Sequence, residues 1–231
     1  MDRRLLDDDD LARSAVVANC AMNRERQLVG VNSYARELGF DPLRRIRVRA
    51  ARGQHGAWLD LCCGTGRALL QAAAQLHRDG LADQVTLVGV DLVDYFDPIP
   101  GTDLPVELVC ASVTSWTPAR RFDLITGVHG LHYVGDKLAA LTGAASWLTD
   151  GGLLVADLDV ASIRLPDGRP AGRALGSALR RAGFEYDPRR RRISRTGRQD
   201  LTLPYLYLGA DDKAGPNYAN QPAVNSYYEP L

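Results

Sequence analysis

The chain carries a series of short apolar runs, each ending in a small or acidic residue and each separated from the next by a helical or turn-forming pattern. Trp58-Leu59-Asp60-Leu61 leads into the small-residue turn Cys62-Cys63-Gly64-Thr65-Gly66 and then into an alanine- and leucine-rich stretch from Arg67 to His77. A short apolar run of this kind reads as a strand buried on both faces, so the unit is strand, tight loop and helix. Val85 to Asp91 predicts a second buried strand, Val106 to Ser112 a third, Phe122 to Val128 a fourth and Leu153 to Asp157 a fifth. Lys137 to Leu148 predicts an amphipathic helix closed by Asp150-Gly151-Gly152, and Ala171 to Ala182 another, stopped by Gly183. Strands alternating with helices define an α/β chain built on a parallel sheet.

The two ends pattern differently. Residues 1 to about 50 read as a helical cap, with Leu11, Ala15, Val16, Ala18, Asn19 and Met22 on one face and Asp7 to Asp10 where a helix N-terminus favours negative charge. Arg44 to Arg52 is a basic, solvated stretch. Phe184 to Asp187 and Leu201 to Leu208 read as a hairpin around a solvated middle, Arg189 to Arg192. Residues 211 to 231, rich in proline, asparagine and tyrosine without periodicity, read as an irregular tail, either a strap over the sheet edge or a contact surface for a second subunit. The division is therefore 1–50, 51–210 and 211–231.

The turn after the first strand is where candidate chemistry concentrates. Gly64 and Gly66 allow backbone angles and close approaches that side chains resist, and the first amides of the next helix point into the loop. A dinucleotide site needs a third glycine, but Leu69 stands at that position, which argues against NAD. The stretch resembles instead the first motif of class I S-adenosylmethionine-dependent methyltransferases, Asp-x-Gly-x-Gly-x-Gly in its commoner form. Asp60, Gly64 and Gly66 are in register, and Cys62 replaces the first glycine.

That resemblance covers roughly residues 57 to 210. It implies a Rossmann-like, seven-stranded, mostly parallel sheet with the last strand antiparallel, flanked by helices, and S-adenosyl-L-methionine as cofactor with S-adenosyl-L-homocysteine as product. It assigns Asp60 to the methionine ammonium, where a carboxylate can make a charge-assisted hydrogen bond. Asp91, at the end of the second strand, is placed to accept from both ribose hydroxyls, Leu92 to touch the adenine, and Ser112 and Val113 to border it, with Ser112 standing where many relatives carry aspartate. In such enzymes the N-terminal cap covers the cofactor. Within it Tyr34 offers a hydroxyl and a ring and Arg36 a fork for the methionine carboxylate; packing of Tyr34 and solvation of Arg36 is the other reading.

His129 and His132 follow the fourth strand, where the acceptor should meet the methyl group, and His129 is also counted among the cofactor contacts. Histidine titrates near neutrality, so these two are the candidate bases, with at most one facing the acceptor. Without a carboxylate partner in the sequence pattern they do not make a metal site, and none is expected. The segment lacks the Asn-Pro-Pro-Tyr or Asp-Pro-Pro-Tyr of enzymes that methylate DNA amino groups.

Composition narrows the class further. The 231 residues suit one α/β domain with an appendage, and 45% hydrophobic with 24% charged residues is ordinary for a globular protein. Formal net charge is zero, so no global field favours a nucleic acid or an anionic membrane. Cys20, Cys62, Cys63 and Cys110 form no Cys-x-x-Cys pair and read as buried thiols of a reducing compartment. No apolar run reaches spanning length, and a cytoplasmic location is the expectation. The reading is a methyltransferase acting on an oxygen or nitrogen of a small molecule, a biosynthetic intermediate, with that acceptor and a second copy of the chain, as a homodimer, the candidate partners. Alternatives are a sensor or scaffold that binds the cofactor without transfer, and a protein or RNA methyltransferase.

Overall fold

The computed structural model describes residues 4–18, 25–101, 103–218 and 220–231. Asn19, Cys20 and Met22 lie outside the described residues. The N-terminal segment folds as short helices, α1 (Asp8–Ala12), α2 (Ala15–Ala18), α3 (Tyr34–Leu38) and α4 (Pro42–Ala50). Ser33 and Asp41 cap α3 and α4 by accepting backbone amides, and Gly39 ends α3 at φ 74°, a left-handed angle suited to glycine.

The domain proper follows as β1 (Gly56–Leu61), α5 (Arg67–Arg78), β2 (Val85–Asp91), β3 (Val106–Cys110), β4 (Phe122–Gly127), α6 (Lys137–Ser146) and β5 (Leu148–Asp157). It continues through β6 (Ile163–Arg164), α7 (Gly172–Arg181), β7 (Glu185–Asp187), β8 (Arg192–Thr196), β9 (Tyr205–Asp211) and β10 (Asn225–Pro230). The main sheet has seven strands in the order β3-β2-β1-β4-β5-β8-β7. β1 to β5 pair in parallel, whereas β8 is antiparallel to both of its neighbours, so the reversed strand sits between β5 and β7. This is the seven-stranded, mostly parallel architecture expected from the motifs.

Strand alternation distributes the side chains to two cores. Ala57, Leu59 and Leu61 of β1 join Val88, Val90, Ile125, Leu154 and Ala156 on the face covered by α6 and α7. Trp58 joins Leu87, Leu124, Val155 and the apolar sides of α3, α4 and α5 on the other. By the same parity Asp60, Asp91, Thr126 and Asp157 share the α3 side, at or near the carboxyl ends of β1, β2, β4 and β5. Gly89 is needed in that layer, because a Cβ there would lie 2.7 Å from Cys63 Sγ and 2.8 Å from Leu69 Cδ1.

Five expectations are corrected, the first being that the thiols are buried: Cys63 is, but Cys62 is half-buried and Cys110 exposed. Asp150-Gly151-Gly152 does not close a helix: α6 ends at Ser146 and these residues open β5. The register shifts between Phe122 and Leu124, and Gly152 fits because any Cβ would come 2.6 Å from the Phe122 carbonyl oxygen. The hairpin arm opposite β7 is Arg192–Thr196, while Tyr205–Asp211 belongs to a second sheet of three strands ordered β6-β10-β9. The tail is not irregular throughout, since Asn225–Pro230 forms the central strand of that second sheet. Its polar residues are held by a fully buried lysine: Lys137 Nζ donates to the Val134 and Val224 carbonyls at 2.9 Å and to Ser226 Oγ at 2.7 Å. Finally, the arginine run is only partly solvated. Arg192 donates to the Glu37 and Leu38 carbonyls at the end of α3, and the Arg191 guanidinium stacks 3.9 Å from the Tyr218 ring centre. Among the described residues no helix is long and apolar enough to cross a membrane.

Candidate active site

The loop after β1 has an unusual backbone. Cys62, Gly64 and Gly66 adopt φ values of 56°, 62° and 74°, so three left-handed residues alternate through the turn. Cys62 therefore occupies a conformation that favours glycine, as its place in the motif implied, at a cost of roughly 1–2 kcal/mol for a residue with a Cβ. The loop is packed tightly: a Cβ on Gly66 would lie 2.8 Å from Leu108 Cδ2, and one on Gly130 would lie 2.2 Å from Cys62 Cβ. Gly66 caps α5 without a side chain, so the amides at the start of that helix face the loop.

Two carboxylates bracket the loop. Asp91 Oδ2 accepts the Gly64 amide at 2.9 Å and Oδ1 accepts the Val93 amide at 3.2 Å, with the residue 9% exposed at the end of β2. Asp60 is fully buried; its Oδ2 accepts the Tyr34 hydroxyl at 2.7 Å and its Oδ1 the Thr126 hydroxyl at 2.6 Å. Thr126 in turn accepts Trp58 Nε1 at 2.8 Å, so a relay of donors converges on the carboxylate. Burial pushes the Asp60 carboxyl up to about 7, against the two hydroxyl hydrogen bonds that favour the charged form. Tyr34 is equally buried, and its hydroxyl is held above its ordinary range by burial and by Asp60. Tyr34 thus supports Asp60, while Arg36 is exposed and donates to the Val31 carbonyl.

The remaining expected contacts line up along β2 and β3. Leu92 is half-buried beside the small cluster of Leu11, Ala210 and Val224. Ser112 Oγ shares a 2.8 Å hydrogen bond with Thr114 Oγ1 and accepts the Thr114 amide at 3.3 Å, so it shapes its own turn. Val113 is buried.

Beyond β4 the two histidines part company. His129 stands at φ 58° in front of a short 3-10 turn, Gly130–His132, and its backbone amide donates to Asp157 Oδ2 at 3.1 Å. Its Nε2 lies 3.3 Å from Glu37 Oε2 and 3.8 Å from Asp157 Oδ2, yet neither ring nitrogen makes a hydrogen bond among the described residues. Glu37 is held below its ordinary range by the adjacent imidazole, and Arg26 pairs with its other oxygen at 3.2 Å. Burial raises Asp157 to about 6. His132 packs against His129 and against Tyr218, ring centres 5.5 and 5.4 Å away, and burial drives its imidazole down to about 3. A small cleft of about 110 Å³ lies on its far side, lined by Asp159, Arg164, Asn217 and Tyr218 among others.

Glu37 and Asp157 were absent from the sequence reading of the site. Glu37 is a polar residue on a five-residue helix, and Asp157 showed only as the end of a strand. Asp157, like Asp60 and Asp91, terminates a buried run, and that repetition was the available signal.

A family profile described as a methyltransferase domain matches residues 33–189, more than half of the chain. The chain belongs to the methyltransferase domain family. No curated protein matches it. Among solved structures, the [4+2]-cyclase SpnF is similar over 63% of this chain and 57% of its own, at 24% identity and a TM-score of 0.39. CalS10, an amino pentose methyltransferase from Micromonospora echinaspora, is similar over 67% and 59% at 22% identity and a TM-score of 0.39. The plantazolicin methyltransferase BpumL is similar over 64% and 51% at 13% identity and a TM-score of 0.40. The chain spans about half the length of the solved structures it matches, from 36% to 59% for these and others.

Proposed function

We propose that the chain transfers a methyl group from S-adenosyl-L-methionine to an oxygen or nitrogen of a small molecule. The observation that carries this reading is the loop between Asp60 and Asp91: three left-handed residues bring backbone to the crevice, and the Asp91 carboxylate at its rim is bonded to Gly64. A carboxylate at the end of β2 stands where the ribose hydroxyls would donate to it, and the amides opening α5 supply donors. Asp60 is fully buried with each oxygen already taking a hydroxyl, so its action on the methionine ammonium is through the field and the shape of the loop. Tyr34 acts as its support. Leu92 and Val113 supply apolar contact for the adenine.

Methyl transfer is an in-line displacement at carbon: the acceptor atom bonds to the methyl, the carbon–sulfur bond breaks, and its electron pair neutralises the sulfonium. Placement of the two reactants can contribute about 7–11 kcal/mol, so positioning matters more than any single base. Of the two histidines, His129 is the residue that meets the acceptor and takes its proton. Its ring nitrogens have no hydrogen-bond partner among the described residues, and Glu37 and Asp157 flank it ready to stabilise an imidazolium. His132, driven to about 3, is too weak a base for that task.

The test is a single-turnover assay with methyl-labelled cofactor and a cell extract. Label in a small-molecule fraction supports the reading. Label confined to protein or RNA, or tight cofactor binding with no label transferred, overturns it.

A further inference from the structure

The group at the carboxyl ends of β4 and β5 has more donor atoms than proton transfer needs. Glu37, His129 and Asp157 each offer one ligand atom within 4.8 Å of the others, from three separate elements: α3, the turn after β4, and β5. Around a divalent ion with bonds of about 2.0–2.2 Å, neighbouring ligand atoms stand about 3.0–3.5 Å apart. The separation of 3.3 Å from Nε2 to Glu37 already meets that range, and 3.8 Å from Nε2 to Asp157 needs only a small side-chain adjustment.

A second observation is independent of the spacing. The His129 side chain is 7% exposed, and both of its ring nitrogens are buried without a hydrogen-bond partner among the described residues. A buried ring nitrogen costs free energy unless something completes it; Nε2 faces the Glu37 carboxylate at 3.3 Å without hydrogen-bond geometry, and an ion would complete that nitrogen. The carboxylates are also supported as metal ligands usually are. Glu37 presents one oxygen to the site while Arg26 holds the other at 3.2 Å, and Asp157 Oδ2 is fixed by the His129 amide at 3.1 Å. Arg26 neutralises one carboxylate and leaves the other charge for a cation. Glu37 is 30% exposed, which gives the ion a way in.

We propose that Glu37, His129 and Asp157 bind one divalent transition-metal ion, whose remaining positions take water or an oxygen of the acceptor. One imidazole with two carboxylates suits Zn²⁺, Mn²⁺, Co²⁺ or Fe²⁺ better than Mg²⁺ or Ca²⁺, which favour all-oxygen shells. In the ion-loaded enzyme His129 is a ligand, not a base. The acceptor hydroxyl then gives its proton to solvent, binds as the oxyanion and attacks the methyl carbon, with the carbon–sulfur electron pair leaving on sulfur. That last role rests on the proposed function and selects an oxygen acceptor; the ion site itself does not depend on it.

The experiment is titration of chelator-dialysed protein with Mn²⁺, followed by loss of the free-ion electron paramagnetic resonance signal, and with Zn²⁺ by calorimetry. One ion per chain is expected, with affinity weakened at least tenfold in Asp157→Asn and in His129→Ala and unchanged in the exposed control Asp167→Asn. S-Adenosylhomocysteine is titrated into each variant in parallel, which reports folding and tests the cofactor site separately. Failure of both ions to bind a protein that takes the nucleoside, or equal affinity in all variants, overturns the ion site and leaves the methyltransferase reading standing. Ion binding without nucleoside binding has the opposite meaning: the ion site stands and the methyltransferase reading falls.

Discussion

Replacing Asp60 by asparagine removes a carboxyl whose charged form burial disfavours. Its carboxyl is fully buried and shifted from an ordinary 3.8 to about 7, chiefly by burial. For a carboxyl raised by that much, the charged form is disfavoured by about 4 kcal/mol relative to the unfolded chain. The sign follows from proton binding. Between pH 4 and 7 the folded state holds a proton that the unfolded state has released, so stability falls as pH rises and is lost once pH passes the folded value. The substituted asparagine cannot titrate but keeps an oxygen for the Thr126 hydroxyl and an amide that can face Tyr34. The stability of Asp60→Asn relative to wild type should therefore rise by about 3 kcal/mol between pH 5 and pH 8. Urea unfolding of ligand-free protein followed by circular dichroism measures this directly. The subtraction removes Asp157 and Lys137, which titrate in overlapping ranges in both proteins. A stability difference that stays flat from pH 5 to 8 refutes the claim that this carboxyl is desolvated. Under the proposed function a cationic methionine end would restore the charged form, so wild-type affinity for the nucleoside should strengthen from pH 5 to 7 and the variant should lose that dependence.

Lys137 predicts the opposite slope at higher pH. Burial lowers its ammonium to about 7, so the folded protein sheds a proton that the unfolded chain keeps, and stability rises from pH 7 to about 10.5; Lys137→Met should flatten that rise in the same unfolding assay. Gly89→Ala forces a Cβ within 3.0 Å of Cys63, Leu69 and Leu108, and a loss of about 1–3 kcal/mol is expected in chemical melts, accompanied by weaker nucleoside binding. Arg192→Ala removes the donors that close α3, and hydrogen exchange of residues 34–39 should accelerate while the β1 amides stay protected. His132, held near 3, should show a neutral ring by ¹⁵N NMR across pH 5 to 8.

What the sequence made legible follows from burial. β1, β2 and β4 are enclosed on both faces, so their apolar runs are continuous, and the acids at the carboxyl ends of β1 and β2 stood out. The loop was legible because its angles favour small residues, and Cys62 stands at φ 56° where the motif has glycine. β8 was not, because Arg-Ile-Ser-Arg-Thr is polar; Arg195 is buried there by donating to the Ala182 and Gly197 carbonyls, which no periodicity reveals. β10 was hidden for a similar reason, its polar strand being satisfied by Lys137 and by Tyr228, whose hydroxyl donates to Asp136 at 2.9 Å. The Glu37–His129–Asp157 group needed tertiary knowledge: it exists only once β5 lies beside β4 and Arg192 fixes the end of α3.

The central claim is that the Asp91 rim and the left-handed loop form a berth for an adenosyl sulfonium. Isothermal titration of S-adenosylhomocysteine into wild type and Asp91→Ala tests it. The account predicts one site per chain, weakened at least tenfold, about 1.4 kcal/mol or more, in the variant. Absence of binding to wild type, or the same affinity in a folded Asp91→Ala, would contradict it.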